Sequence, residues 1–207
     1  MKIYDVTMKI DKDIQVYKNI SSKKPQFKVI ADHDKNDYYE TDILMNSHTG
    51  THLDFQLHMV KDGKDSSTLD FKKFIRKVKV FDLTNVNEEI TLKDVKDLDI
   101  KQNDFILFKT KNSFTDTFDF KFVYIRKDAA EYLASRKIAG VGVDGLGIER
   151  DQKGHPTHLL LMAQDIDIIE GLRLKDIKED TYFMYAQAIP FQGLDACPMS
   201  VILVKND

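Results

Sequence analysis

The chain has 207 residues and a mass of 24.0 kDa, with 42% hydrophobic content, which suits one domain over residues 1–207 with a core of its own. Its formal charge of −3, from 31 basic against 34 acidic residues, leaves no electrostatic footprint for a phosphate polymer, so nucleic acid is not an expected partner. A single cysteine, Cys197, excludes an internal disulfide, suits a reducing compartment and is expected to be a small buried hydrophobe.

The N-terminal run MKIYDVTMKIDKDIQVY alternates apolar and polar residues with charges throughout. It reads as a strand over Ile3–Ile10, with neither the apolar core of a signal peptide nor a membrane span, and points to a cytoplasmic protein. Along the chain the pattern then predicts a strand at Phe27–Ile30, a helix at Asp65–Phe74 and a strand at Lys77–Leu83. A helix over Thr91–Asp97 follows, where Thr91 and Asp94 have capping-box spacing, and then a strand at Phe105–Thr110. The last expected elements are a helix at Lys127–Arg136, rich in helix formers, a strand at Gly140–Val143, a helix at Pro156–Ala163 and a strand at Tyr182–Ile189. No repeat or Pro/Gly-rich linker divides the chain. Strands outnumber helices without the rhythm of a doubly wound sheet, so the expected class is α+β, a mixed layered architecture.

The segment Asn46–Lys61, NSHTGTHLDFQLHMVK, concentrates His48, His52, Asp54 and His58. On one helix His48/His52 and Asp54/His58 would form two pairs roughly 240° apart, so a helix cannot unite them. The Glu of a His-Glu-x-x-His zinc helix is also absent. In an extended chain all four share a parity and leave one side of the backbone. Ten residues of straight strand span roughly 33 Å, however, so the segment must bend, with Gly50 as its pivot. Such a bent strand would present nitrogen and oxygen donors suited to zinc, manganese or iron.

A second segment, GHPTHLLLMAQDIDIIEGL, offers His155, His158, Asp165, Asp167 and Glu170. Its ordinary alternative is a helix started by Pro156, with core leucines and solvated carboxylates. Against that, five of the six histidines fall in these two segments; His33, set among charges, is expected to be exposed.

HTGTHLDFQLH resembles the motif His-x-Gly-Thr-His-x-Asp-x-Pro-x-His of the cyclase-like metal-dependent hydrolases, which include bacterial kynurenine formamidase and isatin hydrolase. YDVTMKIDKDIQVY, NDFILFKT, DAAEYLASRKIAGVGVD ending at Asp144, His158 and the IIEGL that carries Glu170 recur in the family's order. The resemblance implies a swivelling three-layer β/β/α sandwich, commonly assembled as a homodimer or homotetramer. It implies that His48, His52 and Asp54 hold a first metal ion, with Asp54 bridging to a second ion held also by His158 and Glu170. Glu170 would be in position to touch the first ion as well. His58 matches the catalytic acid/base, and Tyr17 falls near an aromatic position that lines the substrate pocket.

The implied cofactor is two divalent ions per chain, Zn2+ or Mn2+, and the implied partner is a small-molecule substrate. With Asp54, Glu170 and one hydroxide against two divalent ions, the site keeps about one positive charge, which favours an anionic tetrahedral intermediate. Hydroxide attack on an amide carbonyl, an aryl formamide such as N-formylkynurenine or a cyclic amide, is the implied reaction. The alternatives are an isatin-hydrolase-like or lactone-opening enzyme, and a non-catalytic metal-binding protein on the same scaffold. Departures from the family pattern are Phe55 and Gln56 after the bridging aspartate, Lys18-Asn19 where Pro-Gly is usual, and Ser200 in place of an arginine; the first two are expected to reshape the pocket.

Overall fold

The computed structural model describes residues 1–205. After β1 (Lys2–Asp5), strands β2 (Gln26–Ala31) and β3 (Glu40–Leu44) form a separate hairpin, and β4 (His52–Asp54) follows the Gly50 bend. The rest of the sheet comes from β5 (Ile75–Asp82), β7 (Phe105–Lys109), β9 (Gly140–Val143), β10 (Asp167–Glu170), β11 (Asp180–Ala188) and β12 (Ala196–Lys205). Two short strands, β6 (Glu89–Ile90) and β8 (Tyr124–Ile125), pair outside it, beside the helices α1 (Leu92–Val95), α2 (Lys127–Ser135) and α3 (Pro156–Met162).

The main sheet runs β1-β12-β11-β5-β7-β9-β10-β4, and β4 pairs in turn with β12, so seven strands close into a barrel with β1 at its edge. Strands β5, β7, β9 and β10 are mutually parallel; the remaining pairings are antiparallel. Parallel strands need crossovers, which α2 supplies between β7 and β9 and α3 between β9 and β10. The central pair is buried on both faces, as parallel strands covered by helices must be: β7 and β9 have no exposed position.

Alternation then sorts the core into two layers. Leu53, Val78, Phe105, Leu107, Ile169, Met184, Cys197 and Val201 converge inside the barrel. Ile106, Phe108, Val141, Val143 and Ile168, the intervening residues, meet Ala129, Leu133 and Leu161 of the outer helices. Each such aliphatic or aromatic side chain contributes about 1.5–3 kcal/mol when fully buried.

The mixed class expected from the sequence holds, with few helices around a strand-rich centre. Among the elements that differ, three have a plain cause. The N-terminal strand stops at Asp5: Val6 and Met8 keep the alternation because they are buried, but Met8 N–H donates to Thr51 Oγ1 rather than to a strand. The helix expected at Asp65–Phe74 is two 3-10 turns, because Asp65 and Asp70 each turn back to accept the N–H two residues on and restart the chain. Strand β12, ten residues long, is masked in the sequence by Pro198, which has no N–H for a ladder. The capping box of α1 forms as its spacing predicts, with Thr91 N–H and Oγ1 both donating to Asp94 Oδ2.

Candidate active site

The two histidine-bearing segments meet because β4 and β10 are neighbours. Antiparallel register sets His52 opposite Glu170 and Asp54 opposite Ile168, so His52, Asp54 and Glu170 share the outer face while Leu53 and Ile169 point into the barrel. Gly50, at φ +67°, makes the bend that brings His48 back over this face. From above, α3 lowers His158 into the same place.

Asp54 Oδ1 lies 3.2 Å from His48 Nδ1 and 3.5 Å from His52 Nε2, while its Oδ2 lies 3.7 Å from His158 Nε2. Glu170 divides in the same way: Oε2 is 3.4 Å from His52 Nε2, and Oε1 is 3.6 Å from His158 Nε2. Each carboxylate thus offers one oxygen to the His48/His52 side and one to the His158 side. His58 stands at the edge of the cluster, its ring centroid 4.3 Å from that of His48 and 5.6 Å from that of His158.

The far nitrogen of each inner imidazole is held by an acceptor. His52 Nδ1 bonds the Gly50 carbonyl at 2.9 Å, His158 Nδ1 bonds Glu149 Oε1 at 2.5 Å, and His48 Nε2 bonds Asp195 Oδ2 at 2.9 Å. In a neutral imidazole those contacts leave the lone pair on the inward nitrogen, aimed at carboxylate oxygens that can only accept. His52 Nε2 and both oxygens of Asp54 are buried without any hydrogen-bond partner among the described residues. Lone pairs facing lone pairs in a dry site call for a cation. The ligand atoms of His52, Asp54 and Glu170 lie within 4.8 Å of one another, as do those of His48, Asp54 and His58. These residues fit a divalent metal.

The two carboxylates draw positive charge to this spot, as a proton on the imidazoles or as a cation between them. Burial pushes the Asp54 and Glu170 carboxyls up, but the surrounding imidazoles hold both below the usual carboxylate range. Burial likewise opposes a charge on His48, yet Asp54 and then Asp195 outweigh it and push that imidazole up to about 9. His58 goes the other way: burial, helped by repulsion from His48 and His158, outweighs attraction to Asp54 and Glu170 and holds it below the ordinary histidine value. That shift favours the neutral form of His58 at neutral pH.

A cavity of about 170 Å³ opens over the cluster, walled by Tyr17, Met59, Leu146 and Gly147 with His48, His58, His158 and Glu170 at its floor. A larger depression of about 490 Å³ lies beyond Asp54, but its Lys64 and Lys73 are already paired with Asp165 and Asp167, and no imidazole reaches it. The residues that the resemblance assigns to the site, His48, His52, Asp54, His58, His158, Glu170 and Tyr17, are therefore at one place. Asp165 and Asp167 are not, and His155 stays largely exposed beside Glu149. Sequence reading missed Glu149 and Asp195, which touch the imidazoles from behind; no spacing marks them, because each comes from a loop that only the fold brings near.

A family model described as "Putative cyclase" matches residues 4–150. The chain belongs to the cyclase family. It is 31% identical to a kynurenine formamidase from Erythrobacter litoralis over 74% of this chain and 71% of that protein. Among solved structures, that of a potential metal-dependent hydrolase with cyclase activity superposes with a TM-score of 0.92 at 48% identity, covering 98% of this chain and 96% of the other. Isatin hydrolase A from Ralstonia solanacearum shares the fold, with a TM-score of 0.83 at 18% identity over 98% and 91% of the two chains.

Where this cyclase-family chain departs from the motif, the structure corrects two expectations about the pocket. Phe55 is buried in the barrel core and Gln56 reaches across to the Met162 carbonyl and Asp165, so neither walls the cavity. Gln56 instead ties the end of β4 to the C-terminus of α3. Ser200 is exposed on β12 and away from the site. Lys18 and Asn19, at φ +56° and +53°, do shape the loop beside Tyr17.

Proposed function

We propose that this protein is a metal-dependent hydrolase cleaving the amide bond of a small aromatic substrate, an aryl formamide such as N-formylkynurenine or a cyclic amide. The observation that carries the reading is the unpartnered, buried donor set of His52 Nε2 and Asp54 Oδ1 and Oδ2, with His48, His158 and Glu170 facing it. His48, His52 and Asp54 would hold one ion, and Asp54, His158 and Glu170 a second, with zinc the first choice and manganese the next. The two-sided placement of both carboxylates supports two ions per chain.

Divalent ions held there supply an electrophile for the carbonyl and bring the pKa of water from 15.7 to about 7. The remaining work falls to the chain. His58, kept neutral by its surroundings, accepts a proton from the attacking water and returns it to the leaving nitrogen, so a C–O bond replaces the C–N bond and the amine departs neutral. Such catalysis is worth roughly 10²–10⁴-fold. Met59, Leu146 and Val16 line the cavity with apolar surface that limits bulk water. Its volume is close to that of a cavity that takes up one benzene ring, about 150 Å³. A non-catalytic binding site would have no use for a neutral imidazole at its open edge.

We also infer a homodimer or homotetramer and a cytoplasmic location. The oligomer is supported by the β2–β3 hairpin, which leaves Phe27, Val29, Ile30, Ile43 and Leu44 between 43% and 66% exposed. A two-stranded hairpin with such surface is marginal in water on its own. Among the described residues, no helix is long and apolar enough to cross a membrane. For the architecture, we read the barrel wall between its inner core and the outer helices as the family's swivelling β/β/α layering; the two core layers support it.

Elemental analysis should find two zinc or manganese ions per chain, and a panel of N-formylkynurenine, isatin and simple lactones, assayed with each metal, should show turnover of an amide. A metal-free protein, inert on the panel after reconstitution, would overturn the reading.

A further inference from the structure

Cavity residues so far unused lie on the N-terminal loop. Two 3-10 turns, Tyr17–Asn19 and Ser21–Lys23, place Tyr17 and Lys23 in the cavity wall. The Tyr17 ring is braced edge-on by Phe118 and Phe122, with centroids 5.3 and 6.4 Å away. Gly147 packs beside it, where a Cβ would meet Tyr17 Cε2 at 3.4 Å, an ordinary contact. Lys23 Nζ sits 5.4 Å from the centroid of this ring and Lys18 Nζ 5.3 Å from it.

Neither ammonium has a carboxylate within 4.0 Å among the described residues, in contrast with Lys64, Lys73, Lys79 and Lys109, which are all paired. Lys23 is nevertheless half-buried. An ammonium on a half-buried side chain, held by an aromatic face instead of a counter-ion, keeps its three N–H donors for something else. The ring attracts the cation but accepts no conventional hydrogen bond from it. Lys23 is thus poised for an anion that enters the cavity.

Resting on the hydrolase reading above, we propose that the substrate is a carboxylate-bearing aromatic amide whose carboxylate is bound by Lys23, with Tyr17 positioning the ammonium and Lys18 adding a second positive charge. The cavity volume limits the aromatic part to about one ring. The susceptible carbonyl would then face the His58 end of the cavity while the carboxylate faces the loop. The specificity belongs to this chain's own loop, the region in which Lys18-Asn19 departs from the family pattern.

The test compares the three formamidobenzoates with formanilide on the metal-loaded protein, for the parent, Lys23→Met and Lys23→Arg. The parent should prefer at least one formamidobenzoate. In Lys23→Met that preference in kcat/KM should fall about tenfold, mainly through KM, and Lys23→Arg should recover most of it. A preference that survives Lys23→Met unchanged, or a parent that favours formanilide, overturns the proposal. If neither compound is cleaved, the hydrolase reading fails on this class, and calorimetric binding of benzoate against benzyl alcohol decides the inference separately. Weaker benzoate binding by Lys23→Met than by the parent supports it; equal binding overturns it.

Discussion

Gly171 rests against Gly50: a Cβ on Gly171 would lie 2.4 Å from the Gly50 carbonyl oxygen. Both residues have positive φ, +72° and +67°, and each adjoins a segment of the site, Gly171 following Glu170 and Gly50 preceding His52. The same Gly50 carbonyl holds His52 Nδ1. Close backbone approach here is thus what lets the two donor segments share a face. Gly171→Ala should lose at least about 1–3 kcal/mol to strain, with a further cost from the clash. Urea unfolding should show an earlier midpoint, and metal titration a weaker site. Unchanged stability would mean the backbone relaxes freely and the contact is not required.

His58→Ala should lower turnover by roughly 10²–10⁴ while bound metal stays at the parent level. The two readouts separate roles that geometry leaves adjacent, since the His58 ring is close enough to His48 and Asp54 to join a donor set. Metal content that falls in parallel with turnover would make His58 a ligand.

Legibility of the site in the sequence followed parity. His48, His52, Asp54 and His58 could be placed on one side of a bent segment from spacing alone, and the structure puts the bend at Gly50 as expected. Glu170 and His158 were harder: their ordinary reading as a solvated carboxylate and a helix residue changes only because β10 pairs with β4, a contact between positions far apart in the chain. Family resemblance supplied that link where local pattern could not. Glu149 and Asp195 escaped both, since they act through neighbouring imidazoles. In the fold, strands with clear alternation such as β7, β9 and β11 were read to within two residues. Strand β4, only three residues long, and β12, interrupted by Pro198, carry too little pattern to read.

Glu149 orients His158 and also accepts the N–H groups of Thr157 and His158 at the start of α3. Glu149→Gln keeps the shape but removes the charge that fixes which nitrogen of His158 carries the proton. Metal affinity should fall about 10–100-fold, the range typical for a partner behind a ligating histidine. Competition with a chromogenic chelator measures it, and an unchanged affinity would place His158 outside the donor set.

If the β2–β3 hairpin is the oligomer contact, replacing Ile43 and Leu44 together by Glu should convert the assembly to monomer. Both side chains are more than 60% exposed in the single chain, so the substitutions cost little folding stability by themselves. Light scattering after size exclusion reports the mass, and circular dichroism checks the fold. A parent that is already monomeric, or a variant of unchanged mass, rules out this surface.

Acid sensitivity away from the site should trace to the start of α2. Arg126 donates to both oxygens of Asp128, Nε to Oδ1 at 2.8 Å and Nη2 to Oδ2 at 2.7 Å, and backbone N–H groups of Leu92 and Ala129 add to this. Those hydrogen bonds, Arg126 first, outweigh burial and hold the Asp128 carboxyl down to about 2, against an ordinary 3.8. Because the folded-state value is depressed, the stabilisation is fully present above the unfolded value and disappears as pH falls from about 4 to about 2. The pair is partly solvent-exposed, so screening keeps its contribution modest. Asp128→Asn should therefore melt below the parent at pH 5, with the gap closing as both are taken toward pH 2. A gap independent of pH across that interval would show that the helix start is stabilised by shape alone and not by the charge on Asp128.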